Sequence, residues 1–231
     1  MADVTVISLG GSLIAPEAVD TGFLASFHRL ALGHLDADRR RKLIVICGGG
    51  GLARRYQAAC RELAPSASND DLDWIGIAAT RVNAELVRRM FGRLCTDDVV
   101  TDPTAVHGSA GRVMVAAGWK PGFTTDNDAV ILARGFGAGT VVNLSNQAKV
   151  YTADPKKDPA ARPLDAVSWS EFRTIVGEKW TPGWNGPFDP SAAKAAAEAR
   201  LRVIYADGRN LENLGHILEG RPFVGTTIGP G

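Results

Sequence analysis

A chain of 231 residues has room for one large α/β domain or two small ones, and its apolar content of 45% suffices for a packed core. Its 26 basic and 25 acidic residues nearly cancel, so no net field gathers nucleic acid or an anionic membrane. Cys47, Cys60 and Cys95 are odd in number and lack C-x-x-C spacing, which fits reduced thiols in a cytoplasm.

The start, MADVTVISLGGSL, has acidic Asp3, no basic segment and interrupting glycines, so it does not read as a signal peptide. No apolar run approaches the ~20 residues of a membrane span. VTVISL (Val4–Leu9) reads as a strand, GFLASFHRLALGHL as a helix and KLIVIC as a strand ending on a core residue, Cys47. LARRYQAACREL is a helix stopped by Pro65. NDDLDWIGIAATRVNAELVRRMF is a long helix with Asn69 or Asp70 as its N-cap. Then come strand GRVMVAA, helix DNDAVILARGF and strand GTVVNL. GFGAG (Gly135–Gly139) is capping and turn geometry. After a loop follow helices SWSEFRTIV and PSAAKAAAEA, strand RVIYA, helix NLENLGHIL and a short strand near GTTI. The Pro-, Trp- and Gly-rich KWTPGWNGPFDP, within about Asp154 to Pro190, reads as an active-site rim. The alternation predicts an α/β fold with a mainly parallel central sheet, helices on both faces and ligands outside the carboxyl ends of the strands. No repeat or interdomain linker divides it, so 1–231 reads as one domain.

The junction KLIVICGGGGLARRYQAAC passes from strand to helix through four glycines, Gly48–Gly51. Glycine weakens regular structure by roughly 0.5–1 kcal/mol relative to alanine, so the run has a reason. It reads as backbone N–H groups brought close to an anion; a mobile turn is the alternative. SLGGSL, AAGWKPGFTTDNDA and NLSNQAKVYTADPKKDP likewise follow strands. Together these turns set N–H groups and hydroxyls along one sheet edge, as phosphate binding without a basic cluster requires. There is no G-x-x-x-x-G-K-[ST] and no G-x-G-x-x-G after the first strand, so neither a P-loop nor a dinucleotide fold is supported. His28, His34, His107 and His216 are scattered, and no metal site is expected on the protein.

LGGSL, CGGGGLARRY, DWIGIAATRVNAEL, KPGFTTDNDAV, VYTADPKKDP, FDPSAAKAA and GTTI together resemble the amino acid kinase fold, a three-layer sandwich, and most of all its UMP kinase branch of archaeal type. The resemblance spans nearly the whole chain. It implies phosphoryl transfer from ATP to UMP, with Mg2+ carried by ATP, in a cytoplasmic homo-oligomer built from dimers and often hexameric; the Asp70–Phe91 helix offers a contact surface. By resemblance Gly11 and Ser12 hold ATP phosphates, Gly49 contacts UMP, and Gly50 and Arg54 contact ATP. Asp73 holds the UMP ribose, a task that suits a carboxylate; capping its helix is the alternative. Trp119, Lys120, Pro121, Gly122, Phe123, Thr124 and Thr125 overlie the loop around the UMP phosphate and base. Ser145, Asn146, Tyr151 and Asp154 overlie the ATP site, and Asp189 orients the catalytic groups. Tyr151 packs on adenine or ribose, or in the core. The residues themselves agree with such chemistry, which needs positioning and positive charge more than covalent work. Thr124 and Thr125 can donate to an acceptor phosphate, and Asp126 reads as the cap of the following helix.

The departures from the family pattern concern charge. A lysine is common near the position of Ser8, and the archaeal-type enzymes have one directly after three glycines, where Gly51 stands here. Ala148–Lys149 replace a usual Asp-Gly, and Trp119 replaces a threonine. Arg54, Lys120, Lys149 and Lys194 remain as cations, while Lys156 and Lys157 read as a solvated pair. Arg54 and Lys149 are therefore expected at the reacting phosphates, with Lys149 restoring the charge lost at Gly51; the alternative is a surface lysine. Isopentenyl phosphate kinases resemble the fold but use a histidine near the acceptor, absent from Trp119–Thr125. Another small acceptor, or a non-catalytic nucleotide-binding or storage role, are the competing functions.

Overall fold

The computed structural model describes residues 3–106, 108–177 and 186–230. The elements run β1 (Asp3–Leu9), α1 (Gly11–Ile14), α2 (Thr21–Ala37), β2 (Arg41–Cys47), α3 (Gly50–Leu63), α4 (Asn69–Phe91), β3 (Val113–Ala116), α5 (Thr125–Gly135), β4 (Thr140–Ser145), β5 (Val150–Tyr151), β6 (Pro163–Leu164), β7 (Ala166–Ser168), α6 (Trp169–Val176), α7 (Pro190–Glu198), β8 (Arg202–Asp207), α8 (Leu211–Leu218) and β9 (Thr226–Gly229), with a 3-10 turn at Gly92–Leu94.

Seven strands form one sheet in the order β3-β2-β1-β4-β8-β9-β7. The five from β3 to β8 are parallel, and β9 runs antiparallel to β8 with β7 parallel beside it. The strands are apolar on both faces, as a doubly covered parallel sheet requires. Ile7, Leu9, Val45, Val115, Val142 and Ile204 pack with α2, α4 and α8. Their alternates Val6, Ile44, Ile46, Met114, Val141 and Val203 pack with α5, α6 and α7. Parallel pairing brings the ends of β1, β2, β3, β4 and β8 to one edge, and the turns singled out above leave from it.

Three readings change. The cap of α4 is Ser68, in a capping box with Asp71, and not Asn69 or Asp70. The cap of α5 is Thr124, not Asp126. The segment expected as a loop before α6 holds the β5–β6 hairpin and β7. The GFGAG turn has Gly137 at φ +66°, where glycine is free to cap a helix. Of KWTPGWNGPFDP, residues 179–185 lie outside the described residues.

Candidate active site

The two glycine turns are packed backbone on backbone. A Cβ on Gly11 would lie 2.1 Å from Gly50 N, and one on Gly48 would lie 2.5 Å from Gly11 N. Gly50 has φ +63°, and its Cβ would meet Gly11 O at 2.1 Å. Close approach of turn to turn is thus one reason for the run. A second remains open to a ligand: Gly48 N–H bonds to Leu9 O and Gly51 N–H to Ala15 O. The N–H groups of Gly11, Ser12, Gly49 and Gly50 find no hydrogen-bond partner among the described residues. Free donors at the start of a helix suit phosphate.

One face of α4 holds the glycine run and the loop after β3. Asn83 Nδ2 donates to Gly48 O at 2.8 Å and Gly49 O at 3.3 Å, turning those carbonyls toward the helix. Thr80 Oγ1 accepts from Gly118 N–H at 2.8 Å, and Asp73 Oδ2 accepts from Gly122 N–H at 3.0 Å. Positions 73, 80 and 83 share a face because 7 and 3 residues are near whole turns. Asp73 therefore latches the loop carrying Trp119–Thr125 and does not cap α4. In that loop the Trp119 and Phe123 rings meet edge to face at 4.8 Å, and Lys120 Nζ lies 3.8 Å from the first ring centroid and 4.9 Å from the second. Thr124 Oγ1 takes the Asn127 N–H, and Thr125 opens α5.

At the centre of the edge stands Asp126. Its Oδ1 accepts from Ser8 Oγ at 3.3 Å and Asn143 Nδ2 at 3.2 Å, and its Oδ2 from Asp189 N–H at 3.1 Å. Burial pushes this carboxyl up to about 7, opposed by those donors. Asp189 is buried and caps α7, accepting from Ser191 and Ala192 N–H, the Ser191 hydroxyl and Asn127 Nδ2. It reaches the cleft through Asp126 rather than by itself. Ser8 and Asn143 are buried polar residues and register partners on neighbouring strands, and that pairing brings both to Asp126.

At the end of β4, Ser145 Oγ donates to Asn146 Oδ1 at 3.4 Å. Tyr151 is half-buried in the hairpin, and Asp154 Oδ1 accepts the Lys156 N–H at 3.0 Å, closing a turn. Arg54 Nη2 donates to Pro16 O at 3.3 Å, beside the glycine run. Lys149 is ion-paired with Asp165, so serving phosphate would mean giving up that partner. Arg209, which sequence reasoning missed, lies closer to the first turn: its guanidinium bonds to Asp20 Oδ2 at 2.5 Å and Ser12 O at 3.3 Å. It holds the Asp20 carboxyl below its usual value. Lys194 is exposed on α7. A lysine at position 51 is sterically excluded, since a Cβ there would lie 2.0 Å from Pro16 O.

The model of the amino acid kinase family matches residues 3–206. A uridylate kinase of Methanospirillum hungatei is 35% identical over 227 residues, covering 96% of this chain and 93% of its own. One from Thermoplasma volcanium is 34% identical over 230 residues, covering 99% and 98%. The crystal structure of uridylate kinase from Archaeoglobus fulgidus superposes with a TM-score of 0.80 at 33% identity, over 97% of this chain and 99% of that one. The UMP kinase structure from Bacillus anthracis shares the fold, with a TM-score of 0.75 at 18% identity. With a family model covering most of its length and relatives above 30% identity end to end, the chain belongs to the amino acid kinase family.

Proposed function

We propose that this protein is a UMP kinase, moving the γ-phosphoryl group of ATP onto the phosphate of UMP. The observation that carries the reading is the arrangement on α4, where Asn83, Thr80 and Asp73 fix the glycine run and the acceptor loop on one sheet edge beside the first turn. The relatives named uridylate kinase supply the substrate. A UMP phosphate oxygen attacks the γ-phosphorus in line, the bond to the β,γ-bridging oxygen breaks, and ADP leaves. Mg2+ bound to ATP would supply neutralisation of phosphate charge. The N–H groups of Gly11, Ser12 and Gly50 orient the donor, with Arg54 beside them. Gly49 N–H and the Trp119–Thr125 loop hold the acceptor, and the remaining Asp73 oxygen takes a ribose hydroxyl. Ser145, Asn146, Tyr151 and Asp154 border the nucleoside of ATP. Asp126, fixed by Asp189, Ser8 and Asn143, sets the floor between the two substrates.

No described helix is long and apolar enough to cross a membrane, and we place the enzyme in the cytoplasm as a single domain. Exposed Tyr56 on α3 and Trp74, Val82 and Leu86 on α4 support a homo-oligomer built from dimers. The test of function is ADP release with ATP, Mg2+ and a panel of UMP, CMP, dTMP, AMP and isopentenyl phosphate. Turnover highest with UMP is expected; preference for another member would overturn UMP as acceptor. The family lysines absent at Ser8 and Gly51 favour a second reading, a non-catalytic nucleotide-binding protein. Binding of both nucleotides without transfer to any acceptor would establish it.

A further inference from the structure

Asp128 lies in the first turn of α5, fully buried, and neither of its carboxylate oxygens has a hydrogen-bond partner among the described residues. An unpaired buried charge is among the costliest arrangements a fold can hold. The surroundings show what this group touches. The Trp119 N–H acts on it in the sense of a hydrogen bond without completing one, and the charges of Asp126 and Asp102 face it. Asp102 Oδ1 is committed to the Thr104 N–H and hydroxyl at 2.9 and 2.6 Å. Lys120, the cation of the same loop, is held over the Trp119 and Phe123 rings. So Asp128 sits behind the start of the acceptor loop, whose Gly118 and Gly122 are pinned to α4. Burial, aided by Asp126 and Asp102, pushes its carboxyl up to about 7.

We propose that Asp128 is a positioning residue of the acceptor site, which lets the Trp119 loop settle on α5 as a neutral acid and sets an unpaired negative charge behind the acceptor phosphate once ionised. The proposal rests on the UMP kinase reading. Its consequence is that UMP binds less tightly as pH rises, while ATP, on the other side of Asp126, does not feel the change.

The test is KM for UMP, KM for ATP and kcat between pH 6 and 8.5 in the wild type, Asp128→Asn and Asp128→Ser. The wild-type KM for UMP should rise about tenfold across this range, equivalent to about one unit in the Asp128 pKa between free and UMP-bound protein. That rise is beyond the change caused by the second ionisation of UMP and by Asp126, which stands near 7 and is retained in all three proteins. Asp128→Asn should show only that shared change, with its KM for ATP following the wild type. Asp128→Ser, the second neutral variant, serves if Asn does not fold, and its KM for UMP should likewise show only the shared change. A neutral variant with the wild-type pH profile, or one that shifts both KM values equally, overturns the proposal. UMP titrations followed by thermal shift read the same pH dependence without turnover. Absence of turnover with pH-dependent UMP binding would therefore sink the kinase reading and leave the Asp128 assignment standing.

Discussion

Asp126 gathers the Ser8 hydroxyl, the Asn143 amide and the Asp189 N–H on one carboxylate, and Asp128 two residues on gathers none. Both acids stand near 7 in the folded chain against an ordinary 3.8. The folded state therefore holds more protons than the unfolded chain between those values, so the stability these groups contribute falls as pH rises through that window. Above about 7 the loss is complete. The Tm should drop from pH 5 to pH 8, and Asp128→Asn should flatten part of the drop; an unchanged slope would show that Asp128 does not titrate there. Asp73→Ala should raise the KM for UMP at least tenfold, about 1.4 kcal/mol, because it frees Gly122 and, on the proposed reading, removes the partner of the ribose. Kinetics with ATP varied should show little change. Gly51→Lys, which the sequence suggests as a restoration of lost charge, should instead lower the Tm and rescue nothing, since its Cβ runs into Pro16 O. That clash was not legible in the sequence, because Pro16 and Gly51 meet only through the packing of the two turns. Asp126 was misread for a related reason. An aspartate in a helix's first turn looks like a cap, and only the strand register brings Ser8 and Asn143 to it.

Among the elements, α4 ties the glycine run to the loop after β3. Its apolar spacing made its span readable from Asn69 to Phe91. Its cap was shifted by one residue, because Ser68, Asn69 and Asp70 are all good caps and only the Ser68–Asp71 pair closes a capping box. Ser68→Ala should cost about 1 kcal/mol, or about 2–4 °C in Tm for a chain of this size, without altering either KM. Asn83→Ala should act differently. It leaves the Gly48 and Gly49 carbonyls without their strap, so calorimetry should show weaker UMP binding as well as a stability loss of about 1–3 kcal/mol. Equal binding in this variant would reduce the strap to a packing device. The elements missed in the sequence are α1, of 4 residues, and the strands β5, β6 and β7, of 2 to 3 residues each. Strands that short display no period and are held by tertiary partners such as Thr226 Oγ1, which accepts the Val150 N–H at 2.9 Å.

At the scale of the molecule, alternating strands and helices made the parallel sheet, and the edge from which its glycine-rich turns leave, legible. The reversal at β9 and the addition of β7 beside it were not, because nothing local in GTTI or DAVS specifies direction. Apolar side chains left exposed on α4 set the assembly prediction. If the protein assembles through α4, Val82→Glu and Leu86→Glu should move it to a smaller species in light scattering, with the Tm reported alongside; a monomeric wild type or an unchanged mass would overturn that interface. The backbone contact between Gly11 and the Gly48–Gly50 run has a mechanical consequence. Two turns that leave no room for a methyl group between them cannot slide or separate without opening the sheet edge, so they move as one stiff plate. The bonded amides of the two turns, Ala15 N–H to Gly11 O, Gly48 N–H to Leu9 O and Gly51 N–H to Ala15 O, should therefore share one opening free energy in hydrogen–deuterium exchange. Shape change would then fall to the 118–125 loop, which among the described residues is tied to α4 by single hydrogen bonds to Thr80 and Asp73.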